Sequence, residues 1–279
     1  MFKGSEYAYY ATYLIGFIIM MVINLKTYKK YELTKKTAVG FTLITYVAGV
    51  CGAMIMGDMY TAAIAKYDGG YSNVAIFGAV FFTPIFMSIV TLVACKPWRK
   101  IMDLLAPGIF IILTCAKFGC FLNACCPGRE CSFGVYNPSL EMTVFPSQLF
   151  EAITMCFVVA FCFIYAFKCK KCISGSVYPV TAAVYSVTRF CWEFMRYYKT
   201  EEIRHIMFGL TFWQFWCVIV IVLSVIWVIL LKNKSFITLE NKYETYAEKK
   251  SSDRADRIEK FKHRNDKNIV HHKNRKKKK

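Results

Sequence analysis

Arg189, Glu193 and Arg196 stand at i, i+4 and i+7 in RFCWEFMR, so on a helix they share one face. The stretch around them is apolar enough for a membrane, where charges are costly and retained for a task. A guanidinium carries a planar fork of donors suited to phosphate or carboxylate. Two other polar groupings interrupt apolar segments. Lys117, Asn123, Gly128 and Arg129 fall in AKFGCFLNACCPGR, and Ser147, Gln148 and Glu151 fall in FPSQLFEA. Brought together, these pieces would make a cationic, hydrogen-bonding cavity for a phospholipid, with tails in lipid and phosphate on the cations. Glu193 would orient Arg189 or act as a base. The bland alternative is a structural ion pair between helices.

The elements that must position these groups follow from composition. The chain has 279 residues, of which 56% are hydrophobic and 17% aromatic, with mean hydropathy +0.37. The apolar residues come in blocks, which points away from an ordinary soluble domain. Seven blocks approach the roughly 20 residues needed to cross a bilayer core. They are Tyr9–Leu25, Val39–Met56, Asn73–Ala94, Ile101–Leu122, Ser147–Phe167, Val177–Met195 and Met207–Leu231. The expected fold is all-α, a polytopic membrane protein with a seven-helix domain over residues 1–231. The first block lacks a basic flank and a small-residue cleavage site, so it reads as a retained span.

Basic residues mark alternate loops. KTYKKYELTKK has five lysines, CKPWRK three basic residues and KCKKC three, whereas the intervening loops carry one basic residue each against two acidic ones. The positive-inside rule then places the N-terminus outside and the C-terminus in the cytoplasm. The polar groupings all fall at the outer ends of their spans. Residues 232–279 form a tail with 17 Lys/Arg against 7 Asp/Glu, which holds +10 of the net +18. It reads as a solvated, disordered cytoplasmic extension facing an anionic leaflet, with no nucleic-acid role. Of the thirteen cysteines, those in helices read as small apolar packing residues. Cys125, Cys126 and Cys131 face outward and could form a disulfide in an oxidising compartment. The CxxC at Cys169 and Cys172 lies on the opposite side, so no shared metal site is expected.

The motifs, in this order, resemble the prolipoprotein diacylglyceryl transferase family. The family's HPSQLYEA is matched by FPSQLFEA, Phe145–Ala152. Its GRxGNFxNGExxGR is matched by AKFGCFLNACCPGR, Ala116–Arg129, and its RFxxEFxR by RFCWEFMR, Arg189–Arg196. GLTFWQ, Gly209–Gln214, and DLLAP, Asp103–Pro107, also have family counterparts. The resemblance spans roughly Met1–Leu231. It implies transfer of the diacylglyceryl group of phosphatidylglycerol to the cysteine thiol of a prolipoprotein signal peptide, in the bacterial cytoplasmic membrane, with no cofactor and no metal. A thioether forms and glycerol phosphate leaves. Carried over position by position, Arg189, Glu193, Lys117 and Tyr10 would be catalytic. Asn123, Gly128, Arg129, Ser147, Gln148, Glu151, Arg196 and Asn73 would contact substrate. The chain departs from the family pattern at Lys117, where arginine stands, and at Cys120 and Cys125, where asparagine and glutamate stand. The family's HGGL, with its histidine, corresponds to NVAI, Asn73–Ile76. Proton removal would fall to Tyr10 or Glu193, or the thiol would ionise unaided. Two other readings are a relative that binds phospholipid or signal peptide without turnover, and a redox or structural membrane protein working through its cysteines.

Overall fold

A computed structural model describes residues 6–65, 75–138, 140–169 and 172–233, with a few isolated positions between 243 and 257. Asn73 and most of the basic tail lie outside the described residues. The chain is mostly helical. Helices α1 (Glu6–Thr27), α2 (Lys35–Ile64), α3 (Phe77–Ala94), α4 (Trp98–Leu122), α5 (Ser147–Lys168), α6 (Val177–Glu193), the short α7 (Glu201–Arg204) and α8 (Phe212–Lys232) follow one another. Among the described residues six helices, α1 to α5 and α8, are long and apolar enough to cross a membrane. Helix α6 has 17 residues and carries Arg189 and Glu193.

Helix α4 is the central post. In its most apolar window 72% of residues are buried, against 17% for α1. It packs against α1, α5 and α6, while α8 packs on α6 and α3 on α2. Close approach of α1 to α4 depends on Gly119, where an added Cβ would sit 2.2 Å from Thr12 Oγ1. Asp103 ties α4 to α6. Its buried carboxylate accepts from the backbone N–H groups of Gly175 at 2.6 Å and Val177 at 3.0 Å. Ser176 precedes α6 without a side-chain cap of its own, so a residue of another helix satisfies donors that a helix start leaves open. Pro179 sits in the first turn of α6, where no intrahelical donor is lost.

Three expectations are corrected. The fold is not purely helical, because the loop after α4 forms a two-stranded antiparallel sheet, β1 (Glu130–Asn137) and β2 (Met142–Val144). The β-favouring residues Val135 and Tyr136 lie opposite Val144 and Thr143. The last helix begins at Phe212, not Met207. Met207 and Leu210 exchange backbone hydrogen bonds in a tight turn whose Gly209 has φ +82°. Thr211 and Gln214 then close a capping box: the Gln214 N–H donates to Thr211 Oγ1 at 3.0 Å and the Thr211 N–H to Gln214 Oε1 at 3.1 Å. Helix α2 runs to Ile64, eight residues past the expected end at Met56.

Candidate active site

Three separate stretches of chain meet at one carboxylate. Glu151, on the second turn of α5, is buried at 2% exposure. Lys117 of α4 pairs with its Oε2. Arg189 of α6 reaches its Oε1 at 3.2 Å. Arg196, three residues past α6, donates from Nη2 to both oxygens at 3.2 and 3.3 Å. Glu193 pairs with Arg189 one turn back and accepts from the Tyr198 hydroxyl. Arg196 Nε lies 4.0 Å from Glu193 Oε2. All five charged side chains are buried, and three cations against two carboxylates leave one positive charge in excess. Burying an unmatched charge is costly. A cluster that keeps one suits an anion supplied from outside.

The excess charge faces a cavity of about 460 Å³ lined by Lys117, Arg189, Arg196 and Lys199, together with tyrosines, cysteines and apolar side chains such as Phe77 and Trp213. Neither Glu151 nor Glu193 reaches that wall. A second, apolar cavity of about 340 Å³ lies between α1, α2, α3 and α4 and shares Tyr9 and Ile76 with the first.

The start of α5 fixes the roof. Gln148 Nε2 donates to the Cys125 carbonyl at 2.5 Å and Ser147 Oγ to the Cys126 carbonyl at 3.3 Å. Backbone bonds join Gly128 to Phe145 at 3.0 Å, Arg129 to Met195 at 2.9 Å and Tyr197 to Pro127 at 3.2 Å. A Cβ at Gly128 would lie 2.5 Å from the Phe145 carbonyl oxygen and 3.0 Å from that of Met195, so only glycine lets these backbones meet. The Asn137 amide, at the end of β1, donates to the Ala124 carbonyl at 3.0 Å.

The expected residues divide accordingly. Lys117, Glu151, Arg189, Glu193 and Arg196 come together. Ser147, Gln148 and Gly128 shape the loop instead of lining the cavity, because their polar groups are spent on neighbouring backbone. Asn123 ends α4 with its backbone N–H on Gly119 and is not in the cavity wall. Arg129 is exposed and is not in the cavity wall. Tyr10 is 66% exposed and touches only the apolar cavity. Its neighbour Tyr9 lines both cavities. Residues not singled out from sequence include Tyr9, Tyr198, and the cysteines 120 and 126 as parts of the wall. All thirteen cysteines are free thiols, so the outer disulfide considered for Cys125, Cys126 and Cys131 is absent.

Comparison with known proteins gives the chain's relatives. A protein 23% identical over 241 residues, the phosphatidylglycerol–prolipoprotein diacylglyceryl transferase of Streptococcus uberis, aligns with 80% of this chain and 89% of its own. The Clostridium tetani protein of the same name is 23% identical over 213 residues, covering 70% and 83%. The transferase 2 of Clostridium perfringens is 24% identical over 196 residues, covering 65% and 75%. The model of the family described as prolipoprotein diacylglyceryl transferase matches residues 4–230, nearly the whole helical part. By that match the chain belongs to the prolipoprotein diacylglyceryl transferases.

Proposed function

We propose that this protein transfers the diacylglyceryl group of phosphatidylglycerol to the signal-peptide cysteine of prolipoproteins, forming a thioether. The observation that carries the reading is the buried ion cluster with one positive charge in excess at the edge of a cavity. As the glyceryl carbon–oxygen bond breaks, charge gathers on the departing phosphate. Cations already fixed where that charge develops stabilise the transition state without reorganising. The adjoining apolar cavity suits a fatty chain, so a lipid can lie with its tail there and its head group among the cations. The acceptor must lose its proton, because the thiolate is the nucleophile.

The reading includes a bacterial cytoplasmic-membrane location with α6 as a seventh span, the N-terminus outside and the C-terminus inside. The loop charges support that orientation. Short α6 packs against α8, α5 and α4, and its Arg189 and Glu193 are buried, a setting that tolerates charges at membrane depth. Complementation tests the function. A strain depleted of its own transferase should recover lipidated prolipoprotein when this chain is expressed. Continued accumulation of unmodified precursor, with the protein present in the membrane, would point to a relative that binds without turnover.

A further inference from the structure

The apolar cavity beside the cation site has a definite depth. It joins the cation cavity at one end, through Tyr9 and Ile76. On α1 its lining runs from Tyr9 to Met20, eleven residues on, or about 16 Å at 1.5 Å per residue. On α2 it runs from Ala53 back to Thr45, or about 12 Å by the same rise. That is close to one leaflet, half of a hydrocarbon core of about 30 Å. Tyr10 and Val50 belong to the lining and are exposed, which leaves an entrance from the bilayer between α1 and α2.

The far end is closed. Met20 is fully buried and seats on Gly108 of α4, where an added Cβ would lie 2.2 Å from Met20 Cγ. The Phe17 and Tyr46 rings, 4.6 Å apart, join α1 to α2 at that depth. Further along, the buried Asn24 amide donates to the Thr42 hydroxyl at 2.9 Å. Thr45, a polar group near the floor, donates to the Phe41 carbonyl of its own helix at 2.6 Å.

We infer, on the transferase reading, that this cavity encloses one acyl chain of the phospholipid donor, and that Met20 on Gly108 sets the longest chain it takes. One chain fits and two do not. An apolar protein cavity of about 150 Å³ holds the six carbons of benzene, so about 340 Å³ holds roughly fourteen. Length gives the same figure. An extended chain advances about 1.2 Å per bond, so a depth of about 16 Å takes a chain of about fourteen carbons. The second chain stays in the bilayer. Lipid tails are as apolar as this lining, so burial alone does not choose among chains. Fit chooses. A chain that is too long meets Met20 and must fold back or leave, and one that is too short leaves a void whose lining loses contacts.

A competition tests this. The full chain is reconstituted in dioleoyl phosphatidylcholine vesicles with a synthetic prolipoprotein signal peptide. Equal amounts of phosphatidylglycerols with paired chains of ten, twelve, fourteen, sixteen or eighteen carbons are supplied together. Mass spectrometry of the modified peptide reads the ratio of products, whatever fraction of the protein is active. Wild type should use the fourteen-carbon donor at least about tenfold faster than the eighteen-carbon one. Gly49 lines the cavity one helical turn above Thr45, and an added Cβ there meets Ala79 and Thr83 only at 3.6 and 3.7 Å. Gly49→Leu should therefore fold and raise the floor by about one turn, shortening the preferred chain by about four carbons. Met20→Ala should lengthen it by at least about two. Products in the supplied proportions from all three proteins sink this inference and leave the transferase reading standing. No product from any donor sinks both. Should Met20→Ala fold poorly, Gly49→Leu decides, and an unchanged preference in that variant overturns the assignment.

Discussion

At the scale of residues, the chemistry lies in one shared counter-ion. Glu151 serves Lys117, Arg189 and Arg196 at once, so the three cations are held at fixed separation before any ligand arrives. Removing Arg189 takes the close ion-pair partner from Glu193, leaves Glu151 with Lys117 and Arg196, and withdraws a donor from the cavity. Arg189→Ala should lower lipidation of a co-expressed prolipoprotein by at least about 10²-fold, read from the ratio of mature to precursor bands. Lys117→Arg keeps the charge and adds a fork of donors. Its rate should stay within about threefold of wild type or rise, and a sharp loss would mean that the wall is shaped around the shorter amine. The cationic residues were legible in the sequence because charges in apolar blocks stand out. That they converge on Glu151 was not, because the contacts join α4, α5 and the end of α6. Tyr10 illustrates a different gap. Adjacent residues on a helix differ by about 100° in direction, and a local motif match cannot tell Tyr9, which faces the cavities, from Tyr10, which is exposed.

At the scale of elements, hydropathy located every long helix but not where each one ends. The turn before α8 shows why. Met207 and Leu210 are apolar and extend the hydrophobic block, yet Gly209 breaks the chain direction, and the helix starts only after Thr211. The T-x-x-Q pattern at Thr211–Gln214 was the available signal. The β1–β2 hairpin sits in a polar, cysteine-rich loop where β1 is mostly exposed and β2 has only three residues, so its hydrophobic alternation is faint. Asp103 is the element-level hinge of the arrangement. Asp103→Ala leaves the Gly175 and Val177 N–H groups buried without acceptors and frees the start of α6, the helix that carries Arg189. The change should destabilise the protein by about 2–4 kcal/mol, measured by thermal unfolding in detergent. Asp103→Asn, which keeps one acceptor oxygen, should recover part of that loss.

At the scale of the whole molecule, the polar groups of the candidate site gather around the C-terminal end of α4 and the N-terminal end of α5, while Lys30, Lys100 and Lys168 collect at the other end of the bundle. Lys30 Nζ there donates to the Ala166 carbonyl near the end of α5, and Lys100 pairs with Glu32. Reporter fusions after Leu231 should therefore report a cytoplasmic terminus, and fusions within the β1–β2 loop an external one. The reverse pattern would place the cluster at the wrong face for a secreted substrate. The ion cluster also bears on how the bundle assembles. Its five charged residues satisfy one another only when α4, α5 and α6 are seated in correct register. A helix slipped by a single turn would leave a naked ion among fatty chains, at a cost of several kcal/mol. The residues proposed to receive the head group therefore also censor misassembled bundles, rejecting a slipped arrangement before any substrate is met.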